Sequence, residues 1–217
     1  MGEIAQLGRK RTIIGDILRR AFDTTWKLNN EVRRWLVYPL VRMVFMWNGI
    51  RWGRGWRIYG VPIIQKHRAS RMVFGDAFQL RSTLRSNPLG PNHAVILCTW
   101  LEGAVLEVGD HFGMTGGTIC AAERITIGEH VVVGANTTIT DTDFHPLNFE
   151  QRRLDPTGGK TAPVTIEDEV FIGMNCLILK GVTLGKGCVV GVGSVVTNSI
   201  PAVFVCAGNP AQVIRQL

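Results

Sequence analysis

From Ile166 to Pro201 the chain repeats one six-residue pattern without a break. Ile166, Ile172, Ile178, Leu184, Val190 and Val196 open the hexads, and Val170, Cys176, Val182, Cys188, Ser194 and Ile200 follow four positions later. Alternation with a period of two marks an ordinary strand and a period of 3.6 a helix. A period of six, with Gly173, Gly185 and Gly191 directly after the aliphatic residue, predicts short strands joined by tight corners, the arrangement of a parallel β-helix.

The same register recurs upstream. Ile127, Val133 and Ile139 open three more hexads, and Val108, Met114 and Cys120 open another three, one residue out of phase. With three hexads to a coil, residues about 18 apart stack, and each coil buries the aliphatic side chains of its neighbours. Toward residue 58 the pattern weakens to fragments such as Val73–Phe78, and the run Ser86–Asn92, rich in Asn, Pro and Gly, interrupts it as a loop. A second excursion is predicted over 145–164, where Gln151-Arg152-Arg153, Pro156, Gly158 and Gly159 replace the period. Loops thrown out of a regular scaffold commonly carry function. The expected organisation is an N-terminal helical arm over 1–57 and a β-helix domain over 58–217, with the excursion 145–164 and a C-terminal tail 202–217. Helices are predicted around Ile13–Lys27 and Asn30–Met46, ending at Asn48-Gly49.

Composition sharpens this picture in two places. A chain of 217 residues, 46% hydrophobic and 19% charged, can bury one substantial core plus an appendage. The five cysteines, Cys98, Cys120, Cys176, Cys188 and Cys206, are odd in number and lack C-x-x-C spacing, which reads as reduced core thiols in a cytosolic protein. Residues 1–57 hold 12 Lys and Arg against 4 Asp and Glu, a net +8, while the remainder is at −1. This arm also carries Trp26, Trp35, Trp47, Trp52 and Trp56. Two roles stay open for it: packing on the end of the β-helix, or peripheral attachment to an anionic membrane surface, where Trp and Arg are favoured together. The apolar stretch Leu36–Ile50 is 15 residues long, is interrupted by Pro39 and Arg42, and is too short to span a bilayer. It also lacks the pattern of a signal peptide. No nucleic-acid-binding motif accompanies the charge.

Four further segments carry candidate chemistry: Asp141-Thr142-Asp143-Phe144-His145-Pro146, Phe171-Ile172-Gly173, Val192-Gly193-Ser194-Val195-Val196-Thr197, and Gly208-Asn209-Pro210-Ala211-Gln212-Val213-Ile214-Arg215. With the hexads, they resemble the hexapeptide-repeat acyltransferases, the left-handed β-helix family that includes maltose, galactoside and polysaccharide O-acetyltransferases. The resemblance is strong over 108–217 and weak over 58–107. It implies left-handed winding, a homotrimer, acetyl-CoA as donor, and a sugar hydroxyl in surface-polysaccharide or glycolipid synthesis as acceptor.

The resemblance makes His145 the catalytic base. A neutral imidazole near pH 7 can take the proton of a hydroxyl as that oxygen attacks a thioester carbonyl. Asp143, two residues earlier, would share a face with His145 on an extended strand and orient its ring; the alternative is a corner aspartate bonded to its own turn. Asp141 has the weaker claim. Met114, Thr115 and Gly116 fall where relatives carry a small hydroxyl residue and glycines, and are candidates to approach the oxyanion or the acceptor. Met114 stands where some sugar acetyltransferases have an acceptor-binding Asn. Gly173, Val192, Gly193, Thr197, Asn198, Pro210 and Arg215 match positions with which the family lines a coenzyme A groove between subunits, Arg215 being suited to the 3′-phosphate. Asn198 replaces a common Lys, which leaves Arg215, Lys180 or Lys186 to pair that phosphate.

Other classes fit less well. A γ-class carbonic anhydrase needs three converging histidines, and His67, His93, His111, His130 and His145 include no close pair on one coil, so no metal is expected. A non-catalytic trimeric scaffold and an N-acetyltransferase of an amino sugar are the remaining alternatives.

Overall fold

A computed structural model describes residues 22–217, and the helix expected around Ile13–Lys27 lies largely outside them. The hexads close into a left-handed parallel β-helix with three faces. The first face stacks Arg57–Tyr59, Gln79–Arg81, Gly113–Thr115, Val132–Val133, Phe171–Ile172, Val189–Val190 and Phe204–Gly208. The second stacks Ile63–Lys66, Ile96–Thr99, Thr118–Ala121, Thr138–Thr140, Leu177–Ile178 and Val195–Val196. The third stacks Arg71–Phe74, Val105–Val108, Arg124–Ile127, Val164–Ile166 and Thr183–Leu184.

Coil stacking follows the aliphatic register. Ile178 pairs with Val196 and Ile172 with Val190, 18 residues apart, and all four side chains are fully buried. One upstream expectation fails. Ile119, and not Cys120, is the rung that faces Ile139, because Gly116 and Gly117 both turn with positive φ and shorten that corner by a residue. All five cysteines are buried and unpaired by disulfide. Both predicted interruptions are present. Leu84–Ser86 forms a 3-10 turn within a loop that leaves the corner between first and second faces, and a longer excursion leaves the corner between second and third.

The C-terminal segment expected as a tail is ordered. Phe204–Gly208 adds a rung to the first face, and Ala211–Gln216 folds back on it as an antiparallel strand.

A β-helix leaves its core open at the ends, so terminal segments must cover it. Here the cover is α1 (Thr25–Trp47), which runs through Pro39 without breaking and ends at Asn48, with Gly49 at φ +66°. Val41 and Phe45 of α1 are buried, and the Phe45 ring meets Trp52 and Trp56 edge-on at 5.6 and 5.2 Å. Trp56, Phe78 and Phe112 continue this aromatic plug down the axis. The arm is also tied by polar contacts. Glu31 accepts hydrogen bonds from Arg34 at 2.8 Å, from the Tyr59 hydroxyl at 2.5 Å and from Arg57. Burial alone would raise the Glu31 carboxyl, but these three donors outweigh it and hold its pKa at about 2. Asn30, itself buried, donates to the Arg85 carbonyl at 2.8 Å and fastens α1 to the first loop.

The opposite side of α1 is bare. Val32, Leu36, Leu40, Met43 and Trp47, spaced by three or four residues, are 46–89% exposed. Among the described residues no helix is long and apolar enough to cross a membrane.

Candidate active site

The corner between the second and third faces opens into the longer excursion. Val133 pairs with Ile172, 39 residues on, where an uninterrupted coil takes the 18 that separate Phe171 from Val189. The loop leaves at Thr142 and returns at Thr161, which form an isolated antiparallel bridge. Asp143 N–H donates to Lys160 O and Ala162 N–H to Asp141 O, both at 3.0 Å, so the neck is a short ladder that starts earlier than residue 145. The loop contains α2 (Phe149–Leu154), whose N-cap Asn148 accepts from the Glu150 and Gln151 amides at 2.9 and 3.0 Å.

His145 stands exposed where the loop leaves the prism. Its Nδ1 lies 2.5 Å from the Pro156 carbonyl oxygen. A carbonyl can only accept, so Nδ1 carries the hydrogen, and in the neutral ring Nε2 carries the free lone pair. Gly159 closes the loop against the same segment. A Cβ there would come within 2.5 Å of Phe144 C and 2.7 Å of His145 N.

Asp143 does not orient the ring as an extended strand would allow. His145 N–H bonds Asp143 O at 2.7 Å across Phe144, which sits at φ +60°, and this tight three-residue turn carries the two side chains apart. The Asp143 carboxylate instead meets Lys180 Nζ at 2.8 Å, one coil along. Asp141 is wholly buried and accepts from the backbone N–H groups of Ala122, Glu123 and Arg124 at 2.6, 2.9 and 2.7 Å. Burial pushes its carboxyl up while those donors pull against it. Asp141 thus holds the corner under the loop. Thr197 and Asn198 lie exposed on the same corner, one coil beyond Lys180.

The donor candidates are divided: Thr197 and Asn198 share the corner of His145, whereas Gly173, Val192 and Gly193 lie on the corner between first and second faces. Gly173 is structural, because a Cβ there would stand 2.7 Å from the Val192 amide of the next coil. Gly193 differs: its φ is +72° and nothing lies within 4 Å of where its Cβ would be. Val192 beside it is 66% exposed. A ligand can therefore approach this backbone closely, and the site fits a narrow thioester arm. Pro210 and Arg215 are exposed on the terminal hairpin, and the Arg215 guanidinium donates to the Gln216 carbonyl at 3.2 Å. Lys186 lies on the third corner near Asp168, at 3.7 Å, and Lys180 is held by Asp143, which leaves Arg215 as the phosphate candidate.

Two of the acceptor candidates are corrected. The Met114 side chain is 2% exposed and points into the core, and Gly116 N–H is spent on Arg81 O at 2.8 Å. The Thr115 hydroxyl accepts from Asn87 Nδ2 at 3.1 Å. Sequence reasoning missed Pro156, which acts through its backbone carbonyl within the loop of His145, and Asn87 and Asn136, whose contacts lie far away in the chain, the Asn136 side chain accepting from Asn92 N–H at 2.8 Å. Among the described residues no group of three or more His, Cys, Asp or Glu is placed to hold a metal, and His111 and His130 simply stack at 4.4 Å on neighbouring coils.

Residues 124–141 and 163–198 match the family model described as the hexapeptide repeat of succinyl-transferase. A Schizosaccharomyces pombe protein named as an acetyltransferase is 43% identical over 93 residues, 43% of this chain and 44% of its own length. The galactoside O-acetyltransferase of Escherichia coli K12 is 36% identical over 118 residues, 53% of this chain and 56% of its own. The chain thus spans about half the length of the curated relatives it matches. Among solved structures, a hexapeptide-repeat acetyltransferase of Vibrio cholerae O1 biovar eltor, crystallised with acetyl-coenzyme A, superposes with a TM-score of 0.51 at 23% identity, over 95% of this chain and 91% of that one. The stacked hexads thus carry the hexapeptide repeat over 124–141 and 163–198, and over about half its length the chain is similar to proteins named as acetyltransferases.

Proposed function

We propose that this protein transfers acetyl from acetyl-CoA to a hydroxyl of a sugar in polysaccharide or glycolipid synthesis. The observation that carries this reading is His145, with Nδ1 anchored on the Pro156 carbonyl and Nε2 left free at the mouth of the loop. In that role Nε2 takes the proton of the acceptor hydroxyl as its oxygen bonds to the thioester carbon. The C–S bond then breaks, and the imidazolium returns the proton to the departing thiolate. Val192 and Gly193 flank the thioester arm, and Arg215 pairs with the 3′-phosphate. Asp143 acts through Lys180, fixing the neck of the loop to the next coil. The relatives' names support acetyl transfer as the chemistry.

Donor binding tests the reading before any acceptor is known. Calorimetric titration with acetyl-CoA is expected to give a micromolar-range Kd, on the order of −8 kcal/mol, at one site per chain. Absence of heat at millimolar donor would favour the scaffold alternative.

The bare face of α1 supports a peripheral position on an anionic bilayer. Its stripe from Val32 to Trp47 is apolar, and Lys27, Arg33 and Arg42 on the same helix are basic. The full-length protein is expected to sediment with phosphatidylglycerol vesicles at low salt and to be released as salt rises. Leu36→Glu combined with Met43→Glu should abolish sedimentation. Equal binding by that variant would remove the stripe from the interaction.

A further inference from the structure

A cleft separates α1 from the loop after the first face, and its two lobes are about 320 and 450 Å³. Arg33 and Arg85 line both lobes, with Asn30 between them. Trp26, Asn29 and Asn87 complete the larger lobe. The surroundings are strongly basic. Among the described residues no Asp or Glu lines the two lobes, and Glu31 nearby is engaged by Arg34, Arg57 and Tyr59. Arg81 is engaged by the Ser86 carbonyl and stacks on the Tyr59 ring at 4.6 Å. Arg33 and Arg85 are exposed, and among the described residues neither has an acidic partner, so two arginines line the cleft without a carboxylate beside them.

The walls are also fixed in place. Asn30 holds the Arg85 carbonyl, and Asn87 reaches from the larger lobe to the Thr115 hydroxyl on the first face. The loop then packs on Gly116, where a Cβ would meet Pro91 at 2.6 Å. The cleft thus lies on the same edge of the prism as Val192 and Gly193, several coils nearer the N-terminal end. An indole face, amide groups and a pair of guanidinium forks form a recognition set for a sugar ring bearing a planar or tetrahedral anion.

We infer that this cleft is the acceptor subsite and that it selects a sugar carrying a carboxylate or phosphate. This inference rests on the acyltransferase reading only for the word acceptor, since the cleft and its charge do not depend on it. Coenzyme A also carries phosphates, so the test must separate the two sources.

Methyl β-D-glucuronide, glucose 1-phosphate and the neutral methyl β-D-glucoside would be titrated into the full-length protein without donor, with acetyl-CoA titrated separately. At least one anionic sugar is expected to bind at least about tenfold more tightly than the glucoside. Arg33→Gln combined with Arg85→Gln should remove that preference while acetyl-CoA affinity stays unchanged. Equal binding of all three sugars, or an anionic preference that survives in the double variant, would overturn the inference. So would loss of acetyl-CoA affinity in that variant, which would give the cleft to the donor's phosphate. Selective sugar binding by a protein that does not bind acetyl-CoA would sink the acetyltransferase reading and leave the anionic-sugar site standing. Both arginines are exposed and have no acidic partner among the described residues, so the variant should keep its fold, and circular dichroism checks that it does.

Discussion

Replacing His145 by alanine is expected to lower kcat by at least about 100-fold and to leave the Kd for acetyl-CoA nearly unchanged. The split follows from where the residue sits. His145 projects from the corner between second and third faces, whereas Val192 and Gly193, assigned to the donor, lie on the corner between first and second. Under the general-base proposal, removing the imidazole would take away the acceptor of the hydroxyl proton without touching Val192 or Gly193. Gly159→Val provides a positional control, because its side chain would press on the backbone of Phe144 and His145. It should lower kcat by tilting the ring while the histidine itself remains. Near-normal turnover by His145→Ala in single-turnover assays would end the general-base mechanism and move attention to another proton acceptor.

The parts of this molecule that were legible in its sequence are those governed by a local period. Ile166 to Val196 could be placed on their faces by counting in sixes, since each coil presents the same inward position to the next, whereas Ile200 comes two residues early as the partner of Leu184. The count slipped at Cys120 because a corner built from Gly116 and Gly117 takes one residue fewer, and nothing in the aliphatic spacing records corner length. The helix α2 carried a readable start, Asn148 followed three residues later by Gln151, that the expectation of an irregular loop passed over. Contacts between distant segments left no period at all. Lys180 takes Asp143 from 37 residues away, and Asn30 reaches Arg85 across 55. The candidate histidine was therefore found, while its true partner, a backbone carbonyl in its own loop, was not.

Mixing two inactive proteins should restore activity. A single chain places the His145 loop and the glycine edge on different corners of the prism, so in the homotrimer that the resemblance implies, with its groove between subunits, each site would join the loop of one protomer to the edge of the next. Val192 is 66% exposed, so Val192→Trp should fill the donor groove without disturbing the core. His145→Ala and Val192→Trp homotrimers are each expected to retain less than about 1% of wild-type activity. When the two are unfolded together and refolded at equal amounts, trimers assemble at random, and about one interface in four pairs an intact loop with an intact edge. Recovered activity should therefore approach about a quarter of wild type, far above either parent, with native mass spectrometry confirming mixed trimers. Mixed trimers no more active than the parents would mean that both halves of each site come from one chain. The loop would then have to reach around the second face of its own prism, and the trimer would be a device for stability alone.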